Sequence, residues 1–431
     1  MNFKKTSIGT VCVIGDGAHA SIKRVERGIA YLTSKNFNKE GINLNQVEYI
    51  SEKDYQKHFR ENSKALTKPK KGDLIFSIIG SIGGAYLYDS TDEFGLSSSV
   101  AIIRPNNHEV NSSYLLYYFK SSYLQKWVEN IKSGSAQGFL SLEMIKRLPL
   151  ILPPLPIQEK IGSILSAYDE LIENNKQRIK LLEEIAEEIY KEWFVRLRFP
   201  SYENIKIIDG LPEGWEKVNA ESIFNIKIGK TPPREETKWF TENSEGIKWV
   251  SIRDINNSSV FIFNTSEKII YDGISKFNLN IAQKNTVILS FKLTVGKIAI
   301  ATEDMVSNEA IAHFNIIDGS IMNREYIYCY LKNFQYAELG NTSSIGNAIN
   351  SKIVKRMPII KPAKNIINMF SEIIYPIFDE IEVLNKKNQL LQETRNLLLP
   401  RLISGKLSVD HLIEKEEEIM MAAETQNIKT K

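Results

Sequence analysis

The fold is decided by residues 157–198, which read IQEKIGSILSAYDELIENNKQRIKLLEEIAEEIYKEWFVRLR. Apolar and aromatic residues recur there at alternating steps of four and three, the spacing of a coiled-coil seam along one long helix. The seam positions are Ile157, Ile161, Ile164, Tyr168, Leu171, Ile179, Leu182, Ala186, Ile189 and Trp193. At 1.5 Å per residue the helix would extend roughly 60 Å, which is longer than a small domain can bury, so it needs a partner.

A second stretch with the same rhythm, residues 366–402, supplies that partner. Its apolar positions are Ile367, Phe370, Ile374, Ile377, Ile381, Leu384, Leu391, Leu398 and Leu402. Asn174 and Asn175 interrupt the first stripe, Asn385 and Asn388 interrupt the second, and Asn388 falls on the seam. A polar residue in a seam costs stability but fixes register and partner. The alternative is two unrelated amphipathic helices, each packed on its own domain.

The composition of the 431 residues is that of an ordinary globular chain, with 42% hydrophobic and 25% charged residues, enough for two or more cores. Cys12 and Cys329 lie far apart and the five histidines are scattered singly, so no zinc site is predicted and a reducing compartment is indicated. The sequence shows neither a signal peptide nor a run of about 18 apolar residues, so we expect a cytoplasmic protein.

No motif in the sequence predicts a catalytic centre. The Gly-Lys-Thr at 229–231 lacks the Gly that a phosphate-binding loop needs at the position of Phe224. The GSIGG at 80–84 lacks dinucleotide-binding spacing and is predicted to be a turn between two strands. His19 has no candidate nucleophile or metal partner nearby in the sequence, and no base-methyltransferase motif is present. The net charge of +3 permits nucleic-acid binding without arguing for it.

The chain is an internal duplication with a period of about half its length. Four pairs of blocks align in the same order in both halves, and each half closes on one of the two long helices. The pairs are GIAYLTSKNF at 28–37 with GIKWVSIRDI at 246–255, LIFS at 74–77 with VILS at 287–290, YLLYYFK at 114–120 with YIYCYLK at 326–332, and KRLP at 146–149 with KRMP at 355–358.

Each half is predicted to contain a mixed α and β globular part followed by its helix. The predicted boundaries are 1–152 and 211–361 for the globular parts, 153–210 for the first helix and its linker, 362–408 for the second helix and 409–431 for a frayed or disordered tail. Strands are predicted at 73–79, 99–103, 286–291 and 297–302, and helices at 113–131 and 324–339. Pro149, Pro153, Pro154 and Pro156 predict an extended connector into the first helix.

Several local blocks, in this order of domains and helices, resemble the specificity subunit of type I restriction-modification systems over roughly residues 1–408. The blocks are LPPLPIQEKI at 152–161, KEWF at 191–194, LPEGW at 211–215, WVSIRDI at 249–255 and LPRLISGK at 399–406. Two departures stand out. The segment at 361–367, KPAKNII, lacks the Gln-Glu of its counterpart at 158–159, and the first half begins without a Pro-Glu-Gly-Trp block.

The resemblance implies an α+β fold in which two similar target recognition domains are separated by two long antiparallel coiled-coil helices with pseudo-two-fold symmetry. It implies a non-catalytic chain that reads an asymmetric, bipartite site on double-stranded DNA. The expected partners are two methyltransferase subunits, which carry S-adenosylmethionine, and restriction subunits with translocase activity, which use ATP and Mg. No cofactor is expected on this chain itself.

Base readers should be polar side chains on loops, because these match the donors and acceptors of base edges. The predicted readers are His19, Lys35, Asn36, Ser81 and Gln137 in the first domain and Lys230, Thr231, Arg253, Asp254 and Asn347 in the second. Phosphate contacts are predicted at Lys64, Lys68, Lys70, Lys71 and Arg147. Glu183, Glu187 and Lys191 are predicted to bind methyltransferase subunits on the outer helix face. For each residue the alternative is an ordinary solvated surface group.

Two functions from other classes stay open on the sequence alone. A structural adaptor would use the long helices for assembly and the globular domains to bind protein or carbohydrate. The other alternative is a detached domain of a fused restriction-methylation enzyme, and the absence of any catalytic motif counts against it. Specific binding to DNA distinguishes the predicted function from the adaptor.

Overall fold

The computed structural model describes residues 3–38, 41–61, 63, 65–134, 138–242, 245–317, 319–339 and 349–413. The chain divides into two compact units. Unit 1 comprises Met1–Ile172 and Gln389–Lys431, and unit 2 comprises Glu173–Asn388. Each unit therefore contains one globular part and a segment of each long helix. The domain boundaries expected from the sequence remain predictions.

The two longest helices are those predicted from the seam. In chain order the helices are α1 (Ile8–Val11), α2 (Glu52–His58), α3 (Ser112–Lys120), α4 (Ser122–Gly134), α5 (Leu142–Arg147), α6 (Leu155–Tyr190), α7 (Ala220–Ile223), α8 (Ile252–Asn256), α9 (Tyr271–Phe277), α10 (Arg324–Asn333), α11 (Ser351–Lys355) and α12 (Lys364–Ile403). A π-helical turn, Lys191–Val195, continues α6. Neither these two helices nor any other in the described ranges is long and apolar enough to cross a membrane.

The strands confirm the mixed fold class and the four strands predicted by name. In unit 1 they are β1 (Lys4–Ser7), β2 (Cys12–Asp16), β3 (Arg24–Val25), β4 (Ile29–Leu32), β5 (Phe37–Asn38), β6 (Gly41–Ile42), β7 (Glu48–Ile50), β8 (Leu74–Ser77), β9 (Ala85–Leu87), β10 (Phe94–Leu96), β11 (Val100–Pro105) and β12 (Pro149–Leu152). In unit 2 they are β13 (Ile207–Ile208), β14 (Leu211–Pro212), β15 (Glu216–Asn219), β16 (Phe224–Ile228), β17 (Phe240–Thr241), β18 (Ile247–Val250), β19 (Phe261–Ile262), β20 (Glu267–Ile269), β21 (Val287–Ser290), β22 (Ile298–Ala301), β23 (Val306–Ser307), β24 (Ile311–Ile316) and β25 (Pro358–Lys361).

The two units repeat one sheet topology. In unit 1 a buried sheet has the order β2-β11-β8-β9 and a second sheet the order β10-β4-β7-β3. In unit 2 the corresponding sheets are β16-β24-β21-β22-β19 and β17-β20-β18-β23. A small antiparallel pair, β1 with β12 and β15 with β25, joins the start of each globular part to its end. The predicted duplication is thus present in the fold itself.

Buried tyrosines show the duplication at the level of single hydrogen bonds. In each unit the helix with the aligned YxxxY spacing, α3 or α10, directs two tyrosine hydroxyls to carbonyls of the last strand. The four bonds are Tyr114–Ile151 (2.7 Å), Tyr118–Pro149 (2.8 Å), Tyr326–Ile360 (2.7 Å) and Tyr330–Pro358 (2.8 Å). Because these hydroxyls are otherwise removed from water, the bonds fix each helix against the strand that leads into α6 or α12.

The coiled-coil seam of α6 is confirmed, with one correction. Five buried positions in α6 and the turn that continues it fall seven residues apart, as heptads require: Leu165, Ile172, Ile179, Ala186 and Trp193. The prediction was wrong at Leu171, whose side chain is 54% exposed, because the adjacent Ile172 takes the seam position. In α12 the same spacing places Ile367, Ile374, Ile381, Asn388 and Leu402 among the buried residues.

Two of the asparagines that interrupt the stripes form a polar pair in the seam of unit 2. Asn175 Nδ2 of α6 donates to Asn388 Oδ1 of α12 at 2.9 Å, and Asn388 is buried. Nearby, Arg178 pairs with Glu380, and in the π-helical turn after α6 Trp193 packs on Phe370. Because rising numbers on α6 meet falling numbers on α12, the two helices are antiparallel in this unit.

Helices α6 and α12 also pair antiparallel in unit 1, where the paired segments come from widely separated parts of the sequence. Ile161 and Leu165 of α6 share one apolar core with Leu399 and Leu402 of α12. Asp169 accepts from Tyr117 Oη at 2.8 Å and pairs with Arg395. The C-terminal part of α12 is therefore needed to complete the apolar core of unit 1.

Other predictions about secondary structure need correction. The proline-rich connector predicted before α6 is extended only in part, because Pro156 lies in the first turn of α6. A missing N–H costs nothing at that position. The helix predicted at 113–131 is broken at Ser121, whose hydroxyl donates to Tyr118 O at 2.6 Å and replaces the helical bond. The helix predicted at 324–339 ends at Asn333, and most of the predicted tail, residues 414–431, lies outside the described ranges.

The Gln of the 158–159 motif has a structural role. Gln158 is fully buried; its Oε1 accepts from the N–H of Asn111 at 3.0 Å, and its Nε2 donates to the carbonyls of Glu109 at 3.0 Å and Pro153 at 2.8 Å. In unit 2 the position equivalent to Asn111 is Asn323, which bonds to the Ser371 hydroxyl of α12. A different side chain therefore makes the helix junction where the motif is missing.

The asparagine pair makes a testable contribution to stability. Asn388→Ala is expected to lower the unfolding free energy by about 1–2 kcal/mol, because it leaves the Asn175 amide without its partner. Replacing both Asn175 and Asn388 by Leu should restore stability, since an apolar pair suits a seam. Asn174→Ala, at an exposed neighbouring position, is the control and should change the free energy by less than about 0.5 kcal/mol in urea denaturation. Equal effects of the two alanine variants would contradict this role for the pair.

Candidate nucleic-acid interface

Several loops of unit 1 leave the buried sheet at one edge. Asp16 at the end of β2 pairs with Ala101 near the start of β11, and Ser77 at the end of β8 pairs with Val100. Because neighbouring strands are antiparallel, the loops that follow β2 and β8 emerge beside the loop that precedes β11. The turn after β4 joins them. We name this surface edge 1 and define it as residues 17–23, 33–36, 78–83 and 97–99.

Serine side chains join the loops of edge 1. Ser97 Oγ and Ser99 Oγ are hydrogen-bonded at 2.6 Å, and Ser99 Oγ accepts from the backbone N–H of Ser34 at 3.0 Å. The turn that carries Lys35 is therefore attached to the loop before β11, which also pairs with the segment that carries His19. Both of these predicted base readers are exposed. Edge 1 thus brings them to one surface.

The neighbouring asparagine has a structural role instead. Lys35 lies in a short turn, Ser34–Asn36, closed by a capping box. Asn36 is 6% exposed; its Oδ1 accepts from Thr33 N–H at 3.0 Å and its Nδ2 donates to two loop carbonyls at 2.9 and 3.0 Å. The structure therefore gives no support to Asn36 as a base reader, because its amide is already hydrogen-bonded within the fold.

The loop after β8 completes edge 1. Ser81 is exposed, and its carbonyl accepts from Ser77 Oγ at 2.5 Å, which closes the turn predicted between β8 and β9. Ser81 therefore joins His19 and Lys35 at this edge. Gln137, the remaining predicted reader of the first domain, lies outside the residues that the structure describes.

Unit 2 repeats this edge. Ile228 at the end of β16 pairs with Ala312, and Ser290 at the end of β21 pairs with Ile311, the first residue of β24. The loops after β16 and β21 and the loop before β24 leave the sheet together, and the turn after β18 lies beside them. We name this surface edge 2 and define it as residues 229–234, 251–256, 291–296 and 307–310.

Lys230 and Thr231 begin edge 2. The backbone N–H of Lys230 donates to Ser307 O at 2.9 Å, and its exposed side chain donates to Asn278 O at 2.8 Å. Thr231 Oγ1 donates to the carboxylate of Glu309, and this bond lowers the pKa of Glu309. Both predicted readers therefore lie at edge 2, where their side chains have hydrogen-bond partners within the protein.

Arg253 and Asp254 lie in α8, which follows β18. Arg253 is exposed, whereas Asp254 is 8% exposed. Asp254 Oδ2 accepts from the N–H and hydroxyl of Ser251 at 2.9 and 2.6 Å, and Oδ1 accepts from the N–H and hydroxyl of Ser266 at 2.9 Å each. With four such bonds Asp254 holds the turn, and the structure does not support it as a base reader. Asn347 lies outside the described residues.

Lys35 and Arg253 occupy equivalent positions at the two edges. Each directly precedes a buried capping residue, Asn36 or Asp254, in a turn that follows the aligned strand β4 or β18. The buried side chain fixes the backbone of the turn, so the Cα of the basic residue beside it is held in a defined position. Both are exposed predicted readers, and the duplicated fold places them alike.

The predicted phosphate contacts are not gathered at edge 1. Lys68, Lys70 and Lys71 precede β8, whereas edge 1 contains the loop that follows it, and a four-residue strand is about 13 Å long. Lys68 and Lys71 pair with carboxylates at 3.2 and 3.7 Å. Arg147 is exposed at the end of α5, and Lys64 lies outside the described residues. Their contact with phosphate stays a prediction.

The residues predicted to bind partner subunits face inward in part. Glu187 pairs with Lys191 at 2.6 Å and with Lys332 of α10 at 3.3 Å, and these cations lower its pKa. Burial raises the pKa of Glu183, which lies near the same lysine. Both carboxylates therefore pack against the globular part of unit 2 and are not on the outer face of α6.

One cluster at the surface of unit 2 is absent from the predicted set. The ammonium groups of Lys238 and Lys276 lie 4.9 and 4.5 Å from the ring centroid of Trp239, and Glu236 accepts from the indole N–H at 2.8 Å. Such cation–π contacts hold basic side chains in place at a surface. The sequence signal was the Lys-Trp pair inside residues 235–245, eleven residues that stand where the first half has only three, residues 25–27.

Both cysteines and one histidine, residue types that act in catalysis in many proteins, lie in the core of this chain. Cys12 and Cys329 are both buried, and burial raises the pKa of Cys12 to about 12. His313 is buried, its Nε2 is hydrogen-bonded to Ser307 Oγ at 2.6 Å, and burial lowers its pKa to about 4. Within the described part of the chain, no three His, Cys, Asp or Glu side chains are grouped to hold a metal ion.

Comparisons with known proteins agree with this duplicated architecture. The chain is 27% identical over 315 residues to the type I restriction enzyme MjaIX specificity subunit of Methanocaldococcus jannaschii, covering 70% of this chain and 71% of that protein. It is 25% identical over 433 residues to the putative MjaX specificity subunit of the same organism, covering 95% and 97%. The fold matches the crystal structure of a type I restriction-modification S subunit from M. genitalium with a TM-score of 0.58 and 16% identity, covering 93% and 96%.

A family model gives the assignment. The model described as type I restriction modification DNA specificity domain matches the chain twice, at residues 14–184 and 212–393. The two matches correspond to the two halves of the internal duplication, and together they cover most of the sequence. The chain therefore belongs to the type I restriction modification DNA specificity domain family.

Proposed function

We propose that the chain reads an asymmetric DNA site in two parts, with edge 1 contacting one half-site and edge 2 the other. The observation that carries the proposal is the equivalent placement of Lys35 and Arg253 in two capped turns. Both domains share a frame, while their exposed side chains differ, so the half-sites they read should differ in sequence. As a member of a DNA specificity family, the chain supplies recognition, and catalysis belongs to its partners.

Two readers in one chain imply a spacing between the half-sites on DNA. A duplicated reader contacts two half-sites on one face of the duplex when they are separated by about one helical turn, roughly 34 Å. Helix α6 has 36 residues and therefore a length of about 54 Å, so a paired helix of this size can act as the spacer. We infer that the antiparallel pair of α6 and α12 sets the distance between the half-sites.

We further propose that the outer face of α6 binds methyltransferase subunits. The inward-facing carboxylates Glu183 and Glu187 leave this role to exposed apolar side chains, of which Leu181 is 58% and Ile185 50% exposed. Apolar side chains exposed on the same helix face are typical of protein interfaces. In the assembled complex the methyltransferase would bring S-adenosylmethionine, and restriction subunits would bring ATP and Mg. Methylation and restriction would both act on DNA in the cytoplasm.

The function is tested by co-expressing the chain with its methyltransferase and mapping the modified bases. We expect one short, asymmetric motif in two parts, separated by a spacer of unspecified sequence. Without the chain, the methyltransferase should show no such motif. Normal methyltransferase expression with no motif that depends on the chain would contradict DNA reading and would favour the adaptor.

The reader role of Arg253 is tested in the same system. Arg253→Ala should relax or abolish recognition of one half-site, because a base contact of this kind contributes about 1–3 kcal/mol of discrimination. Lys35→Ala should affect the other half-site. Lys227→Ala, an exposed basic side chain on strand β16, is the control and should leave the motif unchanged. An unchanged motif at normal efficiency in Arg253→Ala would remove this residue from the readers.

The partner face is tested by co-purification. Leu181→Glu combined with Ile185→Glu should reduce the methyltransferase recovered with the chain by about tenfold or more, because it places charge in an apolar contact. Glu184→Gln, at an exposed position between them, is the matched control and should retain the partner. Full recovery with the double variant would place the partner surface elsewhere.

A further inference from the structure

A buried aromatic ring in unit 1 holds an arginine at the end of the first loop of edge 1. The Arg24 guanidinium lies 4.1 Å from the ring centroid of Tyr31, which is 3% exposed. Its Nε donates to Glu48 at 2.6 Å and its Nη1 to the carbonyl of Ile22, within the same loop, at 2.7 Å. Tyr31 and Glu48 are direct cross-strand partners in β4 and β7.

Unit 2 contains the same three-residue arrangement. The Arg234 guanidinium lies 4.3 Å from the ring centroid of Trp249, which is 3% exposed, and 4.2 Å from that of Phe240. Its Nη1 donates to both carboxylate oxygens of Glu267 at 2.9 Å. Trp249 and Glu267 are direct cross-strand partners in β18 and β20, as Tyr31 and Glu48 are in unit 1.

The other end of each loop is fixed as well. Gly17 and Gly229 directly follow β2 and β16, and a Cβ on either would clash with a backbone carbonyl, that of Leu96 or Asn308. Each loop therefore begins with a glycine packed on the loop before the next strand and ends with an arginine on a buried ring. Glycine permits this close approach because it has no side chain.

The residues between these anchors differ completely. Edge 1 has Ala18-His-Ala-Ser-Ile-Lys23 and edge 2 has Lys230-Thr-Pro-Pro233, so six residues stand where the other domain has four. These segments contain the predicted readers His19, Lys230 and Thr231. A site with two unlike half-sites needs this combination of one frame with different exposed groups.

We propose that Arg24 and Arg234 are equivalent positioning residues, each holding the first loop of its edge in the conformation that reads DNA bases. The inference rests on the proposed function. A guanidinium can hold a loop in this way because it stacks flat on a ring and donates along its edges at the same time. The indole N–H of Trp249, 3.5 Å from Lys230 O, adds a contact to the loop in unit 2.

The test uses the complex of the full chain with its methyltransferase and duplexes that carry the mapped site or a single substitution in either half-site. For Arg234→Ala, the ratio of methylation rates on mapped and substituted duplexes should fall about tenfold for the half-site read by edge 2, the size of one lost base discrimination. The ratio for the other half-site should stay at the wild-type value. Arg24→Ala should show the reverse.

Arg234→Lys separates positioning from charge. Lysine keeps the positive charge but cannot stack as a plane, so affinity for DNA should be retained while discrimination at that half-site falls. Glu267→Gln keeps the stacked arginine, provides a variant with little change in the core, and should reduce discrimination at the same half-site. Equal losses at both half-sites, or full discrimination in the arginine and glutamate variants, would overturn the inference. A wild-type complex that does not distinguish the duplexes would instead refute the proposed function.

Discussion

The structure depends on the burial of one apolar stripe on each of two helices that are too long for either globular part to cover. Each stripe is buried against the other helix, and the asparagine pair Asn175–Asn388 fixes which positions meet. This pairing has a topological consequence. The core of unit 1 contains Ile161 and Leu165 together with Leu399 and Leu402, so the first globular part is complete only when the last helix has returned to it.

The two long helices join two globular parts that are copies of each other. The repeated tyrosine bonds, capped turns and sheet edges show that the two globular parts are copies of one design, whereas their loops have diverged in length and chemistry. A protein that reads a bipartite site must solve two problems, namely holding two readers at a fixed distance and making them unlike. Under the proposed function, we expect the helices to provide the first and the loops between the equivalent internal anchors to provide the second.

The sequence predicted the helices, the duplication, the four named strands and the family, because each of these depends on periodic or repeated patterns. The register at Leu171 was wrong because adjacent apolar residues, Leu171 and Ile172, both fit the stripe. Asn36 and Asp254 were named as readers because they are polar residues in loops. Each closes a local capping box, but the partners that complete its hydrogen bonding, Asn43 and Gln46 or Ser266, lie 7 to 12 residues away, beyond that pattern. The arginine anchors were equally hidden, since Arg24 precedes Tyr31 by seven residues but Arg234 precedes Trp249 by fifteen.

We propose above all that one chain reads DNA at two separate places with two related surfaces. The most direct measurement is missing-base interference on the assembled complex, in which single bases are removed from a duplex carrying the site and the effect on binding is recorded. The account predicts two clusters of essential bases, unlike in sequence and separated by about one helical turn of bases that can be removed without effect. A single continuous cluster, or two clusters of identical sequence, would contradict it.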